Sequence, residues 1–600
     1  LRTTLTQLHR RSSDQSAGGL IRFEDDYWRS GDQHKEKVWS VSTAWGSTAA
    51  AEAATIFESH DRAGVAAEFL SIATELYEYI QSDGTFSTEM GYLAEQAFDD
   101  GSLDSAAPLA WPHSLRLHAT GLLAEKDALP APKPSPSGPT TQPRWTTGEK
   151  YGVGTVADHN REDSSRVWFT LTEGSLTEIR FPRVDLMNFR TIDLLVVDTD
   201  EETEYTARSH NETRVDDTSD TVRRRAEIVD TEALMFRHVI TETGDGRGHQ
   251  WTLTAEYAAD PNHDALLTEI EFNAHDENEY EVYVIANTAL TNTGATDRGL
   301  RVGQTGDYQL VSRATETYQD EAETKPLLID ENGEEYSVAV ALTTTTRFDW
   351  ATVGIAGSST LSEFFGAGVE PEPEEQLDDE NIVLVGLLGS GETVTETLSI
   401  GFAEEADTAG ALGEAAGALT RGYETVRSEY IQSWQEFLAD KSLPKSVQRS
   451  TSLAEQYTVS LMTLRAVEDK TFLGAGIASP SVPWGVAVNA SEAKGYGYNF
   501  VWSRDLYQVF TVFEAVGDLE TATQSLEFIY EYQQDSKGFI PQNTYLNGRT
   551  RWGGEQMDNI SFPQVMAWML YDSGLTFDDV EYSYHNVRRS ADYVAYNGPQ

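Results

Sequence analysis

The sequence predicts a multidomain protein of α and β parts, with helical segments flanking one large antiparallel β-sandwich. Three observations predict it. At 600 residues the chain is far too long for a single hydrophobic core. The Pro/Ser-rich run Pro130-Ala-Pro-Lys-Pro-Ser-Pro-Ser-Gly-Pro139 interrupts it, and a run of that composition is extended and coreless. The apolar period is helical before this run, alternating after it, and helical again from about residue 405.

Residues 1–129 read as mainly helical. Val65, Ala66, Phe69, Leu70, Ala73, Leu76, Tyr77 and Ile80 mark one helix face, and Ser82-Asp83-Gly84 stops it. A second helix fits Trp111 to Leu123. The linker covers 130–143. Over 144–404 the pattern alternates. Val167, Phe169 and Leu171 share a face and Glu173-Gly174 supplies a turn, so a hairpin is expected there. Ile270 and Phe272, a turn at 275–279, then Val282 and Val284 suggest another. Many such short strands imply a large antiparallel sandwich. The acidic stretch from Glu370 to Glu380, with two prolines, reads as a solvated loop. Ile382 to Leu388 is a buried strand, well short of the roughly 18 apolar residues of a membrane span. Residues 405–449 read as connecting helices, and 450–600 as helices joined by long loops rich in Trp, Tyr, Gly and Asp.

The composition excludes several classes of function. There are 98 acidic and 44 basic residues, a formal charge of −54. Nucleic acid and anionic membranes are not expected partners. Aromatics make up 10%, which argues for a folded protein with an acidic shell rather than disorder. Such a shell repels itself in dilute buffer and is screened within roughly 3 Å at molar salt. Lys is scarce, 11 against 33 Arg. This pattern resembles proteins of salt-accumulating haloarchaea. With no Cys, disulfides, iron–sulfur clusters and thiol catalysis are excluded. No His pair has metalloprotease spacing and no calcium loop is formed in the sequence. No metal or organic cofactor is predicted, though scattered acids leave a loop-bound calcium open. Arg10-Arg11 is followed by Ser-Ser-Asp-Gln rather than an apolar segment, so no export signal is read and localisation stays open.

Two clusters carry chemistry. Trp502, Arg504 and Asp505 lie within four residues. An aromatic face stacks on the C–H surface of a sugar ring, and an Arg–Asp pair hydrogen-bonds adjacent hydroxyls while each holds the other in place. A structural ion pair at the start of the helix from Leu506 to Ala515 is the plain alternative. The second cluster is Gln542-Asn543, Tyr545-Leu546-Asn547-Gly548, Trp552 and Gln556-Met557-Asp558. Its Trp and amide groups beside Gly553-Gly554 suit an open cleft, before an amphipathic helix from Ile560 to Tyr571.

With Ser479-Pro480-Ser481-Val482-Pro483-Trp484-Gly485 and Gly497-Tyr498-Asn499-Phe500-Val501 ahead of them, these clusters resemble the first half of a glucoamylase catalytic domain, glycoside hydrolase family 15. The resemblance implies that Trp502, Arg504, Asp505, Trp552, Gln556 and Asp558 bind substrate. The sequence departs from the family at Asn559, where Glu is usual, and at Glu555. Tyr92-Leu93-Ala94-Glu95-Gln96-Ala97-Phe98-Asp99 and Ala107-Pro108-Leu109-Ala110-Trp111-Pro112-His113 are similar to the family's late catalytic segment, with Gly31-Asp32, Trp39 and Trp45 before it. Glu95 then maps to the general base and Trp111 packs beside it. Ala94, Phe98 and Pro112 depart from the family's Pro, Trp and Ser. The part between, including Arg144-Trp145, Thr155, Asp158-His159-Asn160, Phe181-Pro182-Arg183-Val184-Asp185 and Arg190-Thr191-Ile192-Asp193, resembles the N-terminal super-β-sandwich of prokaryotic glucoamylases.

The resemblance implies (α/α)6-barrel segments flanking the super-β-sandwich. Residues 1–129 would be the C-terminal part of a first catalytic domain, 144–404 the sandwich of a second module, and 450–600 the N-terminal part of a second catalytic domain. It also implies an inverting exo-α-glucosidase that releases glucose from non-reducing ends of α-glucans and malto-oligosaccharides. In the family a Pro-Gln step runs into the acidic Glu; here the sequence reads Pro599-Gln600, which places the acid outside it. The expectation is a tandem fragment, two incomplete helical arrays whose partner halves are missing, without a complete carboxyl pair and with negligible hydrolysis. A permuted domain joining Glu95 to the Arg504 pocket is the competing arrangement. Glucodextranase- or trehalase-like specificity, or a non-catalytic carbohydrate-binding or scaffold role, are the alternatives in function.

Overall fold

Amphipathic periodicity sets the first helices. In the computed structural model α1 covers Ser40–Ser59, α2 Ala63–Glu78 and α3 Ala110–Glu125. The residues described are 4, 17–28, 33, 35–81, 84–87, 92–99, 101–126, 128–130, 150–159, 164–199, 205–210, 221–244, 246, 248–292, 297–314, 337–445, 447–481 and 498–598. The expectations for residues 131–149, Ser82-Asp83, Gly31-Asp32, Asn160, 482–497 and Pro599-Gln600 lie outside them. The predicted face of α2 is the buried one: Ala66 is buried, and Phe69, Ala73, Leu76 and Tyr77 pack with Ile80, Leu115, Ala119 and Leu123. Among the described residues no helix is long and apolar enough to cross a membrane.

The chain divides into two units. One holds Leu1–Thr141, Phe437–Pro483 and Tyr498–Gln600; the other holds Gln142–Glu436 and Trp484–Gly497.

The second unit is built on two antiparallel sheets. One runs in the spatial order Val222–Asp230, Met235–Glu242, Trp251–Ala259, Ala265–Ala274, Thr393–Glu404, Val338–Thr344, Asp307–Ala314, Asp297–Gln304 and Gln376–Glu380. The other runs Ala351–Ile355, Ile382–Gly391, Tyr280–Thr288, Phe189–Asp198, Ser175–Arg180, Trp168–Thr172 and Gly152–Gly154, with Thr206–Arg208 beside Phe189–Asp198. The hairpin at Glu173-Gly174 forms as expected, with Gly174 at φ +81°, a backbone that suits Gly. The hairpin expected across 275–279 does not form. Ala265–Ala274 pairs within the first sheet and Tyr280–Thr288 within the second. The turn is a corner between sheets, held by the Asp276 carboxylate, which accepts from the Gln250 backbone N–H and, at 2.7 Å, from the Tyr280 hydroxyl. The acidic stretch is only partly loop, since Gln376–Glu380 forms an edge strand. Its charges suit an edge that must not recruit another strand.

Helices α4 (Ser359–Ala367), α5 (Thr408–Arg421) and α6 (Tyr423–Ala439) follow. Helix α5 lies on the first sheet through buried Ala411, Ala415 and Ala418. Gly401 permits this approach, because a Cβ there would collide with the Ala411 carbonyl. Buried Trp434 of α6 donates its indole N–H to the Thr155 carbonyl at 2.9 Å. Through residue 436, then, these helices belong to the sandwich unit rather than merely connecting it.

In the first unit α7 (Thr451–Ala466), α8 (Ser503–Ala515), α9 (Leu519–Phe528), α10 (Met557–Asp572) and α11 (Tyr584–Asn597) complete the helices. The expectation of two separate arrays is corrected. Helix α3 packs on α7 and α8. Ala110 N–H donates to Ala478 O at 3.0 Å, the Ser479 hydroxyl to Pro108 O at 2.6 Å, and buried Arg116 to the Ser460 hydroxyl. Both ends carry apolar helix faces, and each buries part of its own against the other. Helices α10 and α11 keep Val565, Trp568, Tyr571, Tyr584 and Tyr596 exposed.

Candidate functional site

Glu95 sits just before the short strand Gln96–Ala97, which pairs with Val38–Trp39 and Leu103–Asp104. Its backbone is pinned on both sides: the carbonyl accepts from Ser40 N–H at 2.9 Å, and its own N–H donates to Ala106 O at 2.9 Å. The carboxylate is buried. Tyr498, 403 residues away, donates its hydroxyl to it at 2.9 Å from Oε1 and 3.1 Å from Oε2. The Ser105 hydroxyl and, at 3.3 Å, Gln96 Nε2 donate to Oε2. Burial pushes the Glu95 carboxyl up, while the Ser105 and Tyr498 hydrogen bonds and the charges of Lys37 and Arg22 pull it back toward the ionised form. The Tyr498 phenol is held well above its ordinary value by burial and by the Glu95 charge.

Tyr498 also links Glu95 to the first cluster and, through Trp502, to Trp552 of the second. Its ring meets Trp502 edge-on at 5.7 Å, and Trp502 meets Trp552 at 6.0 Å. Trp502 is the N-cap residue of α8, which places Arg504 and Asp505 in the first turn; a carboxylate there is favoured by the helix dipole. Trp552 lies on a small hairpin, its N–H bonded to Asn543 Oδ1 at 2.9 Å. Arg504 Nη1 donates to Gln556 Oε1 at 2.8 Å and stands 3.5 Å from Asp558. The guanidinium lies over the Trp111 ring at 4.7 Å, and Trp111 packs edge-on to Trp45 at 5.3 Å. Burial pushes Asp505 up to about 6; Glu95 and Asp558 add to this and Arg504 opposes it.

Arg504, Gln556, Asp558 and Trp111 thus meet around one guanidinium, and Trp502 and Trp552 meet beside it. Glu95 is close enough for its charge to raise Asp505. Trp111, expected beside Glu95, lies under the Arg504 guanidinium. Glu95 and Arg504, expected in different modules, belong to one site. Among the described residues here, Asp505 Oδ2, Arg504 Nε and Trp111 Nε1 are buried without a hydrogen-bond partner, as are Gln96 Oε1 and Asn543 Nδ2 nearby. The first two face each other at 3.7 Å, an ion-pair separation too long for a hydrogen bond.

Sequence reasoning gave no role to Tyr498, Ser105, Lys37, Arg22 or Asn559. Ser105 has φ +71°, an uncommon backbone for a side-chain-bearing residue that its sequence does not announce. Lys37 is buried and paired with Asp104 at 2.6 Å; its neighbours Val38 and Trp39 were the available signal. Among the described residues no group of three or more His, Asp or Glu side chains is placed to hold a metal ion.

Residues 135–439 match the family described as glucodextranase, domain N, and residues 452–600 match glycosyl hydrolases family 15. A glucoamylase of Clostridium sp. (strain G0005) is 26% identical over 466 residues, covering 77% of this chain and 58% of that protein. A solved bacterial glucoamylase complexed with acarbose is similar in fold, with a TM-score of 0.59 at 23% identity over 77% of this chain and 60% of that one. The chain spans less than two thirds of the length of these two relatives.

Proposed function

This chain belongs to the glucodextranase domain N family, and we propose that it hydrolyses α-glucosidic bonds at non-reducing ends of α-glucans, releasing glucose with inversion. The observation that carries this reading is the convergence of Glu95, through Tyr498, on the Arg504–Asp505 cluster. An inverting site needs two carboxyls roughly 6.5–9.5 Å apart, one to activate water and one to protonate the leaving oxygen. Glu95 suits the first task. It takes a proton from a water that attacks the anomeric carbon from the face opposite the leaving group. Burial raises its carboxyl, which makes the ionised form a stronger proton acceptor, while three donors and two nearby cations limit the rise. The second carboxyl donates its proton to the departing oxygen. We assign it to none of the described residues.

Arg504 and Asp505 hold the terminal glucosyl unit. Their unpartnered Nε and Oδ2, with Trp111 Nε1, are two donors and an acceptor of the kind that sugar hydroxyls satisfy. Trp502 and Trp552 offer ring faces and edges to its C–H surface. The name of the matched N-domain family favours a second reading, glucodextranase-like cleavage of α-1,6 bonds. We further infer a halophilic, archaeal source from the charge of −54 and the scarcity of Lys.

Glucose release from maltose, isomaltose and trehalose in molar KCl tests the reading, with acarbose binding followed through tryptophan fluorescence. Arg504→Ala is expected to weaken acarbose binding by a factor on the order of 10², the loss of charged hydrogen bonds to ligand. Whatever turnover the chain has is expected to vanish in Glu95→Gln. Turnover that persists in Glu95→Gln overturns the assignment of the base, and faster release from isomaltose than from maltose selects the second reading.

A further inference from the structure

Asn559, in the first turn of α10, is fully buried, and both ends of its side-chain amide are hydrogen-bonded. Its Oδ1 accepts from the Arg504 backbone N–H at 2.9 Å and shares the Ser503 hydroxyl, at 3.0 Å, with the Asn559 carbonyl at 2.8 Å. Its Nδ2 donates to Gln556 Oε1 at 2.8 Å. A backbone N–H and a guanidinium can only donate. The Arg504 N–H therefore fixes the Asn559 oxygen toward α8. Arg504 Nη1, 2.8 Å from Gln556, fixes the Gln556 oxygen toward the guanidinium. With both amides oriented, Asn559 grips Arg504 twice, at its backbone directly and at its side chain through Gln556. Trp502, the N-cap of α8, has no side-chain cap to offer, so Asn559 satisfies from another helix a donor the helix start would leave open.

We propose that Asn559 is the positioning residue of this pocket, whose neutral amide presets Arg504 for a terminal glucosyl unit and keeps a further negative charge away from Asp505. The inference rests on the reading that Arg504 and Asp505 hold the sugar. In this chain an amide suits the place because one side chain accepts from the Arg504 N–H and donates to Gln556 Oε1. A carboxylate of the same size keeps both acceptors, loses the donor, and sets an anion against Gln556 Oε1. It also adds to the charges around Asp505, which are Arg504 on its own helix, Glu95 from the segment before Gln96–Ala97 and Asp558 from α10, beside the neutral Tyr498 phenol.

Acarbose binding to the full chain in molar KCl, measured from mildly acidic to neutral pH alongside the melting temperature, tests this. Asn559→Asp is expected to raise Kd about tenfold at neutral pH. It is also expected to move the acidic limb of binding to higher pH, because a third like charge raises the pH at which Asp505 ionises. Asn559→Leu, which removes all three bonds, is expected to raise Kd by at least as much without moving that limb. A role confined to stability would lower the melting temperature and leave Kd and the limb of the folded protein unchanged; that result overturns the proposal. Should Asn559→Leu fail to fold, Asn559→Asp decides by itself. If wild type does not bind acarbose, or Arg504→Ala binds it equally well, the functional reading fails first.

Discussion

Asp505 is placed where binding and stability pull in opposite directions. Its carboxyl is buried, its Oδ2 has no hydrogen-bond partner, and burial with the charges of Glu95 and Asp558 raises it from 3.8 to about 6. A carboxyl raised in the folded state contributes stability below its unfolded value, near 4, and loses it as pH rises through the folded value, near 6. At neutral pH the ionised group therefore costs the fold, on the order of 2–3 kcal/mol for a shift of this size. Asp505→Asn keeps the shape and removes the charge. It is expected to melt higher than wild type at neutral pH, to flatten the fall of melting temperature between about pH 4 and 6, and to bind acarbose less well. Thermal melts across that range check it; a variant that melts lower at neutral pH would show that the carboxylate holds the fold together. Most of this site was legible in sequence, because Trp502, Arg504 and Asp505 share one helix start and Gln556 and Asp558 another. The bond from Tyr498 to Glu95 was not, since no periodicity reports a contact between residues 403 apart.

At the scale of elements, local signals were reliable and pairings were not. The face of α2 and the Glu173-Gly174 hairpin follow from periods of 3.6 and 2 and from a turn that needs Gly, all written in a few neighbouring residues. The segment 275–279 carries the same turn chemistry as a hairpin, yet the chain passes from one sheet to the other there. Alternation shows that a strand has a buried face, not which sheet supplies its partner. The docking of α3 on α7 and α8 lay beyond sequence for the same reason, since an apolar stripe on α3 reads alike whichever helices cover it. That docking is testable by proteolysis. Cleavage between Pro130 and Lys150 in molar salt severs the covalent link between the helices of 1–129 and the rest. The Ala110–Ala478, Pro108–Ser479 and Arg116–Ser460 bonds, together with burial of the α3 face, are expected to keep the cut piece bound through gel filtration. Its release as a separate species would restore two independent arrays.

For the molecule as a whole, the charge of −54 gives a general expectation of salt-dependent stability, and the sandwich shows where part of it arises. On the nine-stranded sheet Glu256 lies directly across from Glu269, and Glu269 across from Thr397. Directly opposed residues of this kind have Cβ atoms about 4.5–5.5 Å apart, and like charges there repel. Burial pushes the Glu269 carboxyl up, and Glu271, Glu424 and Glu396 push it further; the Thr397 hydroxyl, donating at 2.6 Å, pulls it back down. Arg427 and Arg237 pair with Glu256 rather than with Glu269. Glu269 is therefore a carboxylate among carboxylates, and its repulsion acts over distances that molar salt screens and dilute buffer does not. Glu269→Gln keeps a partner for Thr397 and removes the charge. In dilute buffer it is expected to raise the melting temperature of the sandwich by roughly 1–3 °C. In molar KCl the difference from wild type is expected to shrink toward zero, while the melting temperatures of both proteins rise. An equal gain at low and high salt would trace the effect to packing around Glu269, and no gain at either would remove this carboxylate cluster from the account of salt dependence.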